Sequence, residues 1–258
     1  MKTTFQNRHG IDPCVHLECT FETPVQRQSE SLETVIGAAS SPQNKQIIDE
    51  IVQGDDPSLS EAIVLLQNGL LPHEVDSEAD LRNSIEKRST FFPDSYHMLT
   101  TKQDGKVTGV SIGYYIAEVN IGFISYVVVE KDSGRLGLGK VLRTELLRKF
   151  GEDAKNAGKS IPLGYIGEVK DNNPWLQMLI RNYQVTPFDL PYMQPPMRAD
   201  DEPSPLVLYF QKHPESTVAL DNRMILQSIH AIYRKIYDVK NPEDCDYFQK
   251  IKSFLEEK

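Results

Sequence analysis

YVVVEKDSGRLGLGKVL, residues 126–142, decides how the chain is read. Its first part is aromatic and β-branched. Its middle holds Gly134, Gly137 and Gly139, and from Val141 onward Leu142, Leu146, Leu147 and Phe150 keep helical spacing. A strand, a run of small residues and a helix N-terminus gather backbone N–H groups and the positive end of a helix dipole around one point, a natural pocket for a phosphate or diphosphate. Arg135 and Lys140 would add charge at its rim. Gly134 and Gly139-Lys140 also stand at P-loop spacing, but a P-loop lysine is followed by a hydroxyl that ligates Mg²⁺, and Val141 stands there. A dinucleotide turn needs G-x-G-x-x-G in a βαβ start, whereas this one reads G-x-x-G-x-G. A glycine-rich connection holding nothing is the plain alternative.

Upstream, Ser58 and Glu61 have capping-box spacing ahead of Ala62, Ile63, Leu65 and Leu66, and a second helix is expected from Ser77 with Leu81 and Ile85 on one side. HMLTTK (97–102), the Asp104-Gly105 turn and KVTGVSIGYYI (106–116) read as a hairpin, followed by a strand over IGFISYVVV (121–129). Downstream, the helix that follows the glycine turn is expected to stop at Gly158. IPLGYIGEV (161–169) is apolar on both faces, as a central strand is. Asn173 and Pro174 open another helix, and a proline-rich loop (190–205) leads to a last strand over 206–212. Two amphipathic helices close the chain. Ile225, Ile229, Ile232, Tyr233 and Ile236 form one stripe; Phe248, Ile251, Phe254 and Leu255 form the other after Asn241-Pro242.

The 258 residues are enough for a sizeable core. Lys+Arg 28 against Asp+Glu 37 gives a net charge of −9, which argues against broad nucleic-acid binding. Residues 1–44 are polar and without period, read as an irregular leader. Cys14 and Cys19 lie there beside His9 and His16, too loosely organised for a zinc site, so no metal is expected. No apolar run reaches membrane-spanning length and the start has no secretory h-region, so a reducing, cytoplasmic setting fits best.

The order of these elements resembles that of the GNAT superfamily of acetyltransferases over roughly residues 45–212, most specifically in 126–142. The resemblance implies an α+β fold with a central mixed sheet flanked by helices, here with a C-terminal helical extension over 213–258. The family hallmark is Gln/Arg-x-x-Gly-x-Gly/Ala, whose main-chain amides hold the pyrophosphate of acetyl-CoA. Gly137 and Gly139 match its last two fixed positions, while the first is Gly134 and the arginine is displaced to Arg135. By resemblance, Val127, Val128 and Val129 belong to a strand that splays from its neighbour at a bulge and runs beside the pantetheine arm. Arg135, Leu136, Gly137, Leu138, Gly139 and Lys140 form the phosphate cradle, and Asn173 contacts the cofactor besides capping its helix.

Acyl transfer to an amine needs a neutral attacking amine, a donor for the oxyanion and a proton for the leaving thiolate. In the family the base is usually a Glu or Asp and a Tyr frequently supplies the proton. Glu168, ending IPLGYIGEV, is the expected base, although an acid ending a strand can equally meet solvent. The family tyrosine after the Asn helix is replaced by Ile180, with Tyr183 three residues later. Tyr192, in a loop that would fold over the cleft, is therefore the expected acid, ahead of Tyr126 and Tyr165. Glu118, in the loop AEVN, and Tyr126 are expected to meet the acceptor. The expected activity is transfer of an acetyl or other acyl group from CoA to an amine of a small molecule or peptide, by direct attack in a ternary complex, with no nucleic-acid or membrane partner. Two alternatives stay open: an acyl-CoA-binding protein without turnover, and an interaction module docking through its C-terminal helices.

Overall fold

The computed structural model describes residues 48–72, 74–131, 133, 137–198 and 200–257. The leader over 1–44, with Cys14 and Cys19, and the cradle residues Arg135 and Leu136 lie outside the described residues. A seven-stranded mixed sheet forms the centre, in the order β1-β2-β3-β4-β5-β9-β6. Its strands are β1 (Ile48–Glu50), β2 (Ser95–Gln103), β3 (Lys106–Ile116), β4 (Ile121–Val129), β5 (Gly164–Val169), β6 (Thr186–Pro187) and β9 (Val207–Lys212). Every neighbouring pair is antiparallel except β4 and β5, which run parallel because α3 (Leu138–Asn156) crosses over between them. β7 (Met193–Gln194) and β8 (Ser204–Pro205) make a separate two-stranded ladder inside the proline-rich stretch, where a plain loop is expected from sequence.

Local chemistry explains most boundaries. The β2–β3 hairpin turns at Asp104 and Gly105, with φ of 51° and 81°, the left-handed pair that matches the twist of its strands. α1 (Pro57–Gly69) starts two residues earlier than its capping-box spacing implies: Asp56 is the cap, accepting from the Ser58 N–H at 2.8 Å. Glu61 is thereby freed to accept from the Val107 N–H at 2.8 Å, tying α1 to β3. α2 (Glu78–Lys87) begins at Ser77, as expected. α4 (Pro174–Tyr183) is capped by Asn173, and α5 (Asn222–Lys235) by Asp221. After Asn241-Pro242 only a short 3₁₀ turn forms, Pro242–Asp244, and α6 (Asp246–Glu256) starts beyond it.

Side-chain alternation along the strands divides the core between two faces. On one face α1 and α2 pack Leu59, Leu66 and Leu81 against Met98, Ile112 and Val128. Further along that face α5 and α6 pack Ile229, Ile232 and Phe248 against Ile116, Phe123, Ile166 and Leu208. The C-terminal helices therefore share one core with the sheet, each fully buried large apolar side chain contributing about 1.5–3 kcal/mol. On the opposite face α3 places Leu142, Leu146 and Phe150 against Tyr115, Ile124 and Tyr165, and α4 covers Val169 and Tyr209. Tyr183 turns away from the β4–β5 edge, under the guanidinium of the buried Arg143 at 5.0 Å.

Candidate active site

β4 and β5 are hydrogen-bonded partners only from Ile121/Gly164 to Ile124/Gly167. There β4 changes course. Its register with β3 slips so that Ile112 faces Tyr126 while Gly113 faces Ile124, leaving Ser125 as the extra residue of a β-bulge. Beyond it β4 continues beside β3 alone, and a cleft of about 170 Å³ opens between β4 and β5. Ser125, Tyr126 and Val127 form one wall, Glu168, Val169 and Tyr209 the other. The Ser125 Oγ is buried and has no hydrogen-bond partner among the described residues. Of the three valines, Val127 and Val129 turn toward α3, whereas Val128 packs on the α1 face.

The N-terminus of α3 stands at the end of this gap. Gly137 is its cap at φ 71°, a left-handed conformation that favours glycine. Lys140 and Val141 donate their N–H groups back to the Gly137 carbonyl at 3.0 and 3.2 Å, while Leu138 and Gly139, two residues earlier, have no acceptor within the helix. A Cβ added at Gly139 would stand 3.6 Å from Trp175, 3.7 Å from Val129 and 3.8 Å from Val127. The hydrogen atom there thus keeps open a space bounded by α3, the far half of β4 and the start of α4. Lys140 is exposed at the rim, and Leu138 is buried beneath it. Asn173 accepts from the Trp175 N–H at 2.9 Å, and both residues line the cleft.

The other end of the cleft carries carboxylates and phenols. Glu168 receives a hydroxyl on each oxygen, from Tyr192 on Oε1 and from Tyr237 on Oε2 at 2.7 Å. No ion pair reaches it among the described residues, and burial pushes its carboxyl up to about 7 against the opposing pull of those two hydrogen bonds. Asp76, in the segment before α2, accepts from the Tyr126 hydroxyl at 3.2 Å and returns its own N–H at 3.3 Å. Burial raises its carboxyl to about 6, the Tyr126 bond opposing and Asp80 assisting. At the rim Glu74 is ion-paired with Lys170.

Of the residues expected from sequence, Tyr126, Val127, Asn173 and Glu168 line this cleft, and Gly139 stands beside Val127 and Trp175 of its lining. Val128 packs on the α1 face instead, and Tyr192 and Glu118 stand elsewhere. Tyr192, expected as the acid facing the acceptor, is 2 % exposed and lies behind Glu168, outside the cleft lining. Glu118 lies at the opposite end of β4, in the β3–β4 turn, beside Lys235 at 3.7 Å and in a separate cavity of about 420 Å³. Tyr165 is buried on the α3 face. The lining residues that the sequence does not single out include Asp76, Ser125, Trp175 and Tyr237. For Tyr237 a signal exists, since it follows the Ile225–Ile236 stripe four residues after Tyr233, but that stripe reads as packing. Among the described residues no group of three or more His, Cys, Asp or Glu is placed to hold a metal. No helix among them is long and apolar enough to cross a membrane.

No protein-family model and no curated protein matches the chain. Solved structures do resemble it. One, from Bacteroides thetaiotaomicron and assigned to the GNAT family of acetyltransferases, superposes with a TM-score of 0.55 at 17% identity, covering 75% of this chain and 99% of the other. The ribosomal-protein-S18-alanine N-acetyltransferase of Escherichia coli gives 0.46 at 15% identity, over 68% and 99%. Ard1 from Thermoplasma volcanium gives 0.48 at 16%, over 66% and 99%. The Bacteroides comparison, the one of these above one half, fixes the architecture: the chain has the fold of the GNAT acetyltransferases.

Proposed function

We propose that the chain moves an acyl group from coenzyme A to an amine. One observation carries the reading: the bulge at Ser125 parts β4 from β5 so that the gap opens onto the N-terminus of α3. That arrangement offers polar backbone along the freed edge of β4 and N–H groups with a helix dipole at its end, which suits a cofactor with an amide-bearing arm and a diphosphate. The residues fit such a group on two further counts: the unpartnered Ser125 Oγ in the cleft wall, and the space at Gly139 that a side chain would fill. Val127 and Val129 with the edge of β4 would hold the arm; Gly137, Leu138, Gly139 and Lys140 would hold the phosphates, with Arg135 and Leu136 preceding them; Asn173 would meet the cofactor from α4. Bound acyl-CoA supplies an electrophilic thioester carbon.

The chain's own residues do the rest. Glu168 accepts a proton from the incoming amine, and a carboxyl poised near 7 changes state in the range where a base is most useful. Tyr192 holds that carboxyl from behind rather than donating into the cleft. Asp76, Glu74 and the face of Tyr126 line the approach, so the acceptor is a cation in solution, either a small amine or a basic peptide. A thermal-shift series tests the reading: acetyl-CoA raises the melting temperature, worth about 2.7 kcal/mol at a hundred times its Kd, while ATP with Mg²⁺ and NAD do not. Thiol release on adding a panel of amines then separates turnover from binding alone. Stabilisation by ATP with Mg²⁺ and none by CoA thioesters would overturn the proposal.

A further inference from the structure

Residues 213–257 dock on the sheet through α5 and α6, and they also reach the cleft. Just past α5, Ile236 and Tyr237 line the cleft on the same side as Glu168 and Asp76. The Tyr237 hydroxyl donates to the Glu168 Oε2 at 2.7 Å. Tyr192, which takes the other oxygen, comes from the loop before β7 and is buried. A carboxyl end group turns freely about its last torsion unless both oxygens are engaged. Here one is engaged from inside the protein and the other from the cleft side, by a residue of a different element.

The backbone that delivers Tyr237 is itself pinned. The Ile236 N–H closes α5 on the Ile232 carbonyl at 2.9 Å, and the Val239 N–H reaches the Tyr233 carbonyl at 3.0 Å. Between them Asp238 adopts φ 51°. Tyr233, one turn before Tyr237, donates its hydroxyl to the Met193 carbonyl, which anchors α5 to the segment carrying Tyr192. Both of Glu168's donors are thus held in one connected assembly.

We propose that Tyr237 is the positioning residue for the Glu168 carboxylate, so that the C-terminal helical pair completes the active site. The inference rests on the acyl-transfer reading, because it assigns a partner to that reading's base. The remaining groups facing the pair are Tyr192 before β7, Tyr233 on α5, Asp76 and Tyr126 toward the cleft mouth, and Lys170 held by Glu74 at the rim. Tyr237 and Tyr192 are the two that bond Glu168.

Tyr237→Phe keeps the ring and deletes the donor. A hydrogen bond to the ionised form favours ionisation, so its loss moves the Glu168 midpoint upward by about one pH unit. Carbon-13 titration of the carboxyl in the protein alone reads this directly. The acidic limb of kcat/KM moves up in pH by the same amount, kcat at neutral pH falls about fivefold, and the thermal shift given by acetyl-CoA stays as in the wild type. Tyr247→Phe, whose ring lies 5.6 Å from Tyr233 in the same helical pair, changes neither the midpoint nor the limb. A Glu168 midpoint and a pH limb both unmoved in Tyr237→Phe overturn the proposal. Failure of the wild-type protein to bind acetyl-CoA would strike the acyl-transfer reading instead, and the cofactor-free titration would still decide whether Tyr237 governs Glu168.

Discussion

Glu50 and Glu168 are both carboxylates drawn into the protein, and they end with opposite character. Glu50, on β1, accepts from His97 Nδ1 at 2.7 Å, Lys149 Nζ at 2.6 Å and Arg88 Nη2 at 3.0 Å. Burial alone would raise its carboxyl; the cationic partners outweigh burial and bring it down to about 2. His97 in turn has its Nε2 on Asp153 at 2.7 Å. Burial disfavours its charged form, but Asp153 and Glu50, one at each nitrogen, win and hold its midpoint above the ordinary 6.5. Glu168 has phenols where Glu50 has cations, and its carboxyl goes up to about 7. Burial raises both carboxyls; at Glu50 the cationic donors overturn it, and at Glu168 the phenols do not. One is a clamp tying β1 to β2, α3 and the end of α2. The other, on the acyl-transfer reading, is the base that takes the amine's proton.

The widest separation between them is in turnover. Glu168→Gln keeps the shape and removes the base, so kcat falls by about 10²–10⁴ while the acetyl-CoA thermal shift persists. Steady-state rates with a responsive amine check this; a variant within threefold of wild type would remove Glu168 from the chemistry. Glu50→Gln inverts the pattern. It leaves His97, Lys149 and Arg88 short of a counter-charge and, with solvent screening part of the pairing, lowers stability by about 1–2 kcal/mol in urea denaturation, with kcat in the folded protein unchanged.

The pH dependence of stability tests the comparison next, because the two carboxyls tilt it in opposite directions. Glu50 titrates near 2 instead of 4.5, so its contribution is present above pH 4.5 and disappears as pH falls toward 2. Glu168 titrates near 7 instead of 4.5, so the native state holds an extra proton between those values and stability falls as pH rises through that window. Asp76, raised from 3.8 to about 6, acts in the same sense. His97 does so at higher pH: its contribution is complete below 6.5 and is lost as pH climbs through its raised folded value. Denaturation curves of Glu168→Gln therefore lose part of the decline between pH 4.5 and 7, at most about 1.4 kcal/mol per pH unit, and keep the acid limb. Glu50→Gln loses the acid limb and keeps the decline. Identical curves for the two variants would contradict this account.

How far the sequence discloses these two places differs for a physical reason. The end of the cleft beside α3 is built from consecutive residues of one strand, turn and helix, so Val127, Gly137 and Gly139 are visible in one short window. Glu168 is visible because it interrupts an apolar strand. The elements of the sheet follow from alternation and from the Asp104-Gly105 and Asn173-Pro174 signals. The partners of Glu168 are 24 and 69 residues away in sequence, and those of His97 are 47 and 56 away. No local pattern encodes such meetings. Tyr237 therefore reads as the tail of an amphipathic stripe, and Tyr192 as a loop residue free to face the acceptor. The alternation of IGFISYVVV is equally silent about the bulge at Ser125, which is expected only through the family resemblance.

The smallest effect is expected at Gly139, where the two regions part in a way a single methyl can measure. Farther along the same α3 face, a Cβ at Gly122 would run into the Phe150 ring, so the interior there has no room. At Gly139 the nearest atoms, on Trp175, Val129 and Val127, remain at ordinary contact distance. Gly139→Ala therefore fits, and by removing a helical glycine it stabilises the fold by about 0.5–1 kcal/mol in denaturation. The same methyl enters the space between α3 and β4 where the phosphates would lie, and weakens acetyl-CoA binding about fivefold by calorimetry. A gain in stability coupled to a loss in affinity is the signature of a space kept empty for a ligand. If the alanine variant binds acetyl-CoA as tightly as the wild type, that gap is only loose packing, and the cradle must be sought on the Gly134–Leu136 side of the turn.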